Sequence, residues 1–154
     1  MGVHREVMLF LVHHADAVGP EIDSQRPLSS QGHAHAERLA RDAAARGVKP
    51  VTIWHSGKLR AKQTAECFWR ACNPLAEFAA IPGLRPDDPP TDIEARLAAE
   101  SRDVMLVGHM PSLPRLLQAL LGTTASKEPV GFPQHALVAL EREGQRWVER
   151  WRIE

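Results

Sequence analysis

The chain has 154 residues, of which 44% are hydrophobic, enough for one substantial core and too few for two domains of ordinary size. We therefore expect a single domain over residues 1–154. The 19 basic residues balance the 19 acidic ones, so net charge favours binding to neither nucleic acid nor an anionic membrane. The first apolar run is too short to cross a bilayer and no cleavage pattern follows it. We expect a soluble, cytoplasmic monomer.

The first predicted element is a strand from Met8 to Val12, a run of five apolar residues rich in strand formers. Such a run is typical of a strand that is buried on both faces of a sheet. It ends at His13 and His14, and Asp16 follows shortly after. Open α/β sheets bind ligands at the carboxyl ends of their strands, so these polar residues are functional candidates.

A loop with Arg26 near its end leads into the first predicted helix. Ser29 or Ser30 is expected to be the N-cap, the helix is expected to run from Gln31 to Arg46, and Gly47 is expected to close it. An ordinary capped surface helix would explain every residue of this segment except Arg26.

Two more apolar runs end in polar residues. A strand from Val51 to Trp54 leads to a helix that begins near Arg60 and extends to about Cys72, and a strand from Asp103 to Gly108 leads directly to His109. Because the carboxyl ends of parallel strands meet at one edge of a sheet, we expect Arg60 and His109 to converge there with His14.

The proline-rich stretch from Asn73 to Pro90 is predicted to be irregular, with a brief strand around Phe78. Asp87 and Asp88 lie in it, and their spacing favours ordinary loop charges over a proton donor. Two more helices are predicted, one capped by Thr91 and ending near Glu100, the other running from Pro111 to Leu121.

The chain ends in a predicted hairpin around Glu143 and Gly144, in which alternation places Trp147, Trp151 and Ile153 on one strand face. His135 precedes this hairpin, and the pattern assigns it no role. The elements together predict a three-layer α/β/α fold, with a mainly parallel sheet, helices on both faces and a C-terminal antiparallel hairpin.

Four segments resemble the histidine phosphatase superfamily, whose fold is phosphoglycerate mutase-like. His13-His14-Ala15-Asp16 corresponds to the family's Arg-His-Gly followed by an acidic residue, and RPLSSQGHAHAERLA from Arg26 corresponds to the start of its first helix. The run from Ser56 to Ala65 corresponds to Ser-Pro-x-x-Arg-Ala-x-x-Thr-Ala, and Val107 to Pro111 corresponds to Val-x-His-x-Pro. His13, Ala15 and Gly57 depart from the pattern, which has arginine, glycine and proline there. The likeness extends over nearly the whole chain and is greatest to the small SixA-type phosphohistidine phosphatases.

The resemblance implies that His14, Arg60 and His109 are catalytic, with His14 as the nucleophile. It also implies that His13, Arg60, His109 and Arg26 bind the phosphoryl group and that neither metal nor cofactor is needed. The implied substrate is phosphohistidine on a protein of the histidine phosphotransfer type. A dianion beside His13 would favour its charged form, so we expect phosphate to bind with proton uptake there.

Three alternatives stay open. His13 stands where the family has a bidentate arginine, which favours the hypothesis that the chain is a degenerate family member, weakly active or inactive, that binds phosphorylated partners. A small-molecule phosphomonoesterase would use the same residues. A metal site built from some of the eight histidines is disfavoured, because no pair has the i, i+4 helical spacing with a carboxylate partner.

Overall fold

The computed structural model describes residues 6–122 and 131–154. The elements in chain order are β1 Met8–His13, α1 Ser30–Ala45, β2 Thr52–His55, α2 Leu59–Cys72, β3 Glu77–Ala80, α3 Thr91–Ala98, β4 Val104–Gly108, α4 Ser112–Leu121, β5 Leu137–Glu143 and β6 Arg146–Ile153. The strands form a six-stranded sheet in the order β3-β2-β4-β1-β5-β6.

The strand order places β4 between β1 and β2. Strands β1 to β4 run parallel, while β5 lies antiparallel to β1 and β6 antiparallel to β5. The carboxyl ends of β1, β4 and β2 are therefore neighbours. The amino end of β5 lies at the same edge, because its first residue, Leu137, pairs with Val12.

Helices cover both faces of the sheet. One apolar cluster joins α1 and α2 to side chains such as Phe10 and Val12, and the other joins α3 and α4 to Leu9 and Leu11. Successive residues of β1 thus alternate between two cores, which explains why the strand is apolar throughout. The predicted three-layer fold with its C-terminal hairpin is confirmed.

Most predicted boundaries hold to within two residues, and Ser29 caps α1 by accepting a hydrogen bond from the Gly32 N–H. Helix α3 differs from the prediction at its start. Thr91 is its first residue and not its cap; the cap position is occupied by Pro90, which makes no side-chain hydrogen bond.

The prediction that Trp147 shares a face with Trp151 and Ile153 is wrong. Ala139 pairs with Trp151 but Leu140 pairs with Glu149, which leaves Arg150 as an extra residue in β6. A one-residue bulge reverses the alternation of side chains beyond it. Trp147 therefore packs with the α3 and α4 cluster, and Trp151 packs on the opposite side of the sheet.

Candidate active site

Three strand ends bring polar residues together at one edge of the sheet. His13 is the last residue of β1 and His14 follows it, His109 follows β4, and Ser56 follows β2. The His14 N–H donates to the Gly108 carbonyl at 3.1 Å, which ties the end of β1 to that of β4. The ring centroids of His14 and His109 are 4.9 Å apart, and those of His14 and His13 are 4.4 Å apart.

The ring of His14 has a defined tautomer. Its Nδ1 lies 2.7 Å from the Ala15 carbonyl oxygen. A carbonyl can only accept, so Nδ1 carries the proton and Nε2 keeps its lone pair. Burial lowers the pKa of His14 to about 4, and the charge of Arg60 acts in the same direction. The imidazole is neutral at pH 7 and its Nε2 is available as a nucleophile.

His109 is held through its other ring nitrogen. Its Nε2 lies 2.7 Å from Ser56 Oγ, which also accepts a hydrogen bond from the Lys58 N–H at 3.2 Å. The Ser56 hydroxyl has no other acceptor for its proton among the described residues, so it donates to Nε2 and the ring proton lies on Nδ1. That Nδ1 is buried and has no hydrogen-bond partner among the described residues.

Arg60 lies in the first turn of α2, where helix amides and the helix dipole favour an anion. Its Nε is also buried and without a partner in the part of the chain that the structure describes. Burial and then the charge of Arg26 lower the pKa of Arg60. Arg26 itself has its Nε bonded to the Val18 carbonyl at 3.0 Å, and its charge also acts on His14.

His13 is paired with a residue from the far end of the chain. Its Nδ1 accepts a hydrogen bond from the His135 N–H at 2.9 Å, and the two rings stack at 4.9 Å with an 8° interplanar angle. We call His13, His14, His109 and His135 the histidine cluster. His13 is therefore a neutral ring with its proton on Nε2.

Two rings of the histidine cluster, those of His13 and His109, are buried and lie near basic groups. Burial lowers the pKa of His13 to about 3, and the charges that add to this effect belong to His14, His135 and Arg60. Burial also lowers the pKa of His109 to about 3, followed by the charges of His14, Arg60, His13 and Lys58. In the described chain, the charges that act on these two histidines are all basic, which suits an anion.

Two contacts fix the segment that follows His14. The Ala15 N–H donates to Thr64 Oγ1 at 3.0 Å, and that hydroxyl in turn donates to the Arg60 carbonyl at 2.8 Å. A Cβ atom added to Gly32 would lie only 2.0 Å from the backbone oxygen of Asp16. The loop that follows His14 is thus packed against the first turns of both α1 and α2.

Gly57 occupies a backbone conformation that proline cannot adopt. Its φ is +91°, whereas proline is restricted to about −65°. The Gly57 N–H donates to His55 Nδ1 at 3.0 Å, a bond that proline would also lack. The turn between β2 and α2 is therefore built differently from the Ser-Pro turn of the pattern.

A groove of about 500 Å³ adjoins the histidine cluster at Ser56 and Gly57, and Asp88 and Asp92 lie on its wall. Asp88 Oδ2 accepts the Arg85 N–H at 2.9 Å, as expected for a residue that closes a turn. Among residues 6–122 and 131–154, no group of three or more acidic, histidine or cysteine side chains could hold a metal ion. No helix in those ranges is long and apolar enough to cross a membrane.

The structure brings together most of the predicted residues and adds some that were not predicted. His13, His14 and His109 are in ring contact, and the charges of Arg60 and Arg26 reach them. Sequence reasoning missed the roles of Ser56 and Thr64, although both lie in the predicted segment. It also missed His135, whose position follows only once β5 is paired with β1.

The comparisons with known proteins agree with this geometry. A sequence profile of the histidine phosphatase superfamily (branch 1) matches residues 10–86. No curated protein matches the chain. Among solved structures, the protein histidine phosphatase SixA in complex with tungstate has a TM-score of 0.83 and 24% identity, over 96% of each chain.

Two further structures show how widely the fold is used. A candidate phosphohistidine phosphatase SixA from Agrobacterium tumefaciens has a TM-score of 0.80 and 28% identity, over 98% of this chain and 99% of its own. A mycobacterial glucosyl-3-phosphoglycerate phosphatase has a TM-score of 0.71 and 18% identity, over 94% of this chain and 97% of its own.

Proposed function

The chain belongs to the histidine phosphatase superfamily, and we propose that it removes the phosphoryl group from a phosphohistidine on another protein through a phosphorylated His14. Family membership supports a hydrolase. The likeness to two SixA structures over nearly the full length supports phosphohistidine as the substrate. His14 is half-buried and not fully enclosed among the described residues, which supports access by a group carried on a protein surface.

One observation carries the proposal. Two buried donors, Arg60 Nε and His109 Nδ1, have no acceptor in the described chain, and both belong to residues that surround His14. Leaving such a donor unsatisfied costs about 1–3 kcal/mol each, so a site that keeps two of them is built for a ligand that accepts. The oxygens of a phosphoryl group are acceptors of the right charge.

The proposed reaction has two displacements. His14 Nε2 attacks phosphorus in line, the bond from phosphorus to the substrate nitrogen breaks, and the leaving imidazole departs with a proton. Water then attacks the phosphorylated His14, which releases inorganic phosphate and restores the free ring. Arg60, His109, His13 and Arg26 would hold the phosphoryl oxygens and stabilise the charge that develops on them.

The basic surroundings of His13 and His109 favour a P–N over a P–O bond. An alkoxide needs a proton from the enzyme, and among residues 6–122 and 131–154 no carboxylate contributes to the pKa shift of either histidine. An imidazole leaving group can take its proton before it departs. The reaction as proposed requires no metal.

Two other functions remain as candidates. The groove beside Ser56 favours a small phosphate ester, because it could hold the body of such a substrate. A protein that binds phosphorylated partners without turnover is favoured by the neutral His13, which offers one N–H where an arginine would offer a charged fork.

The test compares a histidine-phosphorylated phosphotransfer protein with p-nitrophenyl phosphate, both in the presence of EDTA. We expect the first to be dephosphorylated faster, His14→Ala to be inactive, and Arg60→Ala to lose at least about tenfold in kcat/KM. Lys62→Ala is the matched control, since Lys62 is an exposed basic residue on the same helix, and it should keep the rate. Faster ester hydrolysis would favour the phosphomonoesterase, and binding without turnover would favour the inactive relative.

A further inference from the structure

His135 has a backbone conformation that is uncommon for a residue with a side chain. Its φ is +58°, in the left-handed region. Two contacts hold it there: its N–H donates to His13 Nδ1 at 2.9 Å, and its own Nδ1 lies 2.7 Å from the His14 carbonyl oxygen. Since that oxygen can only accept, Nδ1 of His135 carries a proton.

The described groups nearest the His135 ring are other histidines, with two arginines beyond them. It stacks on His13 and lies 6.3 Å from the ring of His14, both at the end of β1, and His35 from α1 meets it edge-on at 6.2 Å. The charges of Arg60 from α2 and Arg26 from the loop before α1 lower the pKa of His14, which lies beside His135. An anion that enters the cluster would offset the positive charge of the two arginines.

The hydrogen bonds limit which histidine can accept a proton when an anion does enter. A proton on His13 Nδ1 would break the bond from the His135 N–H, and one on His14 Nε2 would remove the nucleophilic lone pair. His109 Nε2 already accepts the Ser56 hydroxyl proton. His35 Nε2 is also buried without a partner, but among the described residues the His35 ring contacts that of His135 and not those of His14 or His109. By contrast, His135 Nε2 makes no hydrogen bond within the described residues, and protonating it would strengthen the bond from Nδ1 to the His14 carbonyl.

We infer that the site binds its oxyanion together with a proton that is taken up at Nε2 of His135. On the proposed function, His135 supplies the positive charge beside the phosphoryl group, while His13 donates a neutral N–H from Nε2. The proton uptake expected at His13 is thereby reassigned to His135, because His13 is locked as a hydrogen-bond acceptor. Affinity is then greatest at acid pH and falls as His135 loses its proton.

Sulfate is a suitable probe, because it stays a dianion from pH 5 to pH 9 and its own titration does not contribute. Calorimetry at pH 7.5 in two buffers of different ionisation enthalpy gives the number of protons taken up. For the wild type we expect a measurable proton uptake that approaches about one proton per sulfate, and an affinity that falls by as much as about tenfold per pH unit on the alkaline side.

His135→Asn is the informative variant, since asparagine tolerates the left-handed conformation but cannot take up the proton. We expect it to bind sulfate at least tenfold more weakly at pH 6 and with no pH dependence between pH 6 and pH 8. His33→Asn, on α1 and outside the cluster, should keep both the affinity and the proton uptake of the wild type.

A second measurement does not depend on the folding of a variant. In wild-type protein with ¹⁵N-labelled histidines, sulfate should bring His135 into its doubly protonated form and leave His13 neutral. Protonation of His13, or binding without proton uptake, would overturn the inference. If sulfate binds with proton uptake at His135 but the protein shows no turnover, the inference is upheld and the proposed function is contradicted. If sulfate does not bind, the inference and the proposed function are both contradicted.

Discussion

The two ring nitrogens of each clustered histidine have different partners, and the partners determine what the ring can do. In His14 the Ala15 carbonyl holds the proton on Nδ1, which leaves the lone pair on Nε2 for the proposed attack on phosphorus. In His109 the engaged nitrogen is Nε2, so Nδ1 is the one that offers a donor. Identical side chains thus acquire opposite roles from single hydrogen bonds.

Ser56 is the positioning residue for His109, and Ser56→Ala tests this role. Without the hydroxyl, His109 loses the bond that selects its tautomer, so we expect kcat/KM to fall about tenfold, equivalent to about 1.4 kcal/mol. The ¹⁵N spectrum of the His109 ring should change from one tautomer to a mixture. Ser24→Ala, at an exposed loop position, is the control. An unchanged ring spectrum would show that Ser56 does not set the tautomer.

At the scale of elements, the loop after β1 is held by the start of α1. Asp16 accepts hydrogen bonds from Ser29 through both its backbone oxygen and its side chain, the latter at 2.7 Å. Gly32 lies one turn into the helix, and its missing Cβ makes room for the Asp16 backbone. The motif around Gly32 therefore serves to bring α1 close to the residues that follow His14.

Gly32→Ala should be destabilising, although glycine to alanine inside a helix ordinarily stabilises by about 0.5–1 kcal/mol. The new Cβ would lie 2.0 Å from the Asp16 oxygen, so the loop that carries His14 must move. We expect a lower midpoint of urea unfolding and reduced turnover in the folded protein. Ala34→Gly, at an exposed position of the same helix, measures the effect of helix propensity on stability without the close contact to Asp16. A more stable Gly32→Ala protein with full activity would refute this close contact.

The positions of the strands and helices can be predicted from the periodicity of apolar residues in the sequence, but the order of the strands in the sheet cannot. His14, Arg60 and His109 were predicted to meet because each follows a parallel strand. His135 precedes an antiparallel strand, and its place beside His13 depends on the pairing of β5 with β1, a long-range contact that no local pattern encodes. The bulge at Arg150 has the same origin, because it depends on the partner strand.

At the scale of the whole molecule, the buried histidines link folding stability to pH. His13 and His109 have folded-state pKa values of about 3, against 6.5 when exposed. The unfolded chain therefore binds more protons than the folded one below pH 6.5, and stability is lost as pH falls. Between pH 7 and pH 5 each residue should remove about 2 kcal/mol from the free energy of unfolding.

Urea unfolding at pH 7 and pH 5 measures this dependence directly. We expect His109→Gln to lose less stability than the wild type over this interval, because one buried titrating ring has been removed. His33→Gln should behave as the wild type does. A wild-type free energy of unfolding that is the same at both pH values would show that these rings are not kept neutral by the fold.

The central claim is that His14 carries the phosphoryl group on Nε2, and trapping the intermediate tests it most directly. The protein is incubated with phosphoramidate, quenched in alkali and digested, and the phosphorylated peptide is identified by mass spectrometry and by ³¹P and ¹⁵N spectra. Because Nδ1 is bonded to the Ala15 carbonyl, the account predicts a single acid-labile phosphate on Nε2 of His14. Label on another residue, label on Nδ1 of His14, or label that persists in His14→Ala would contradict it.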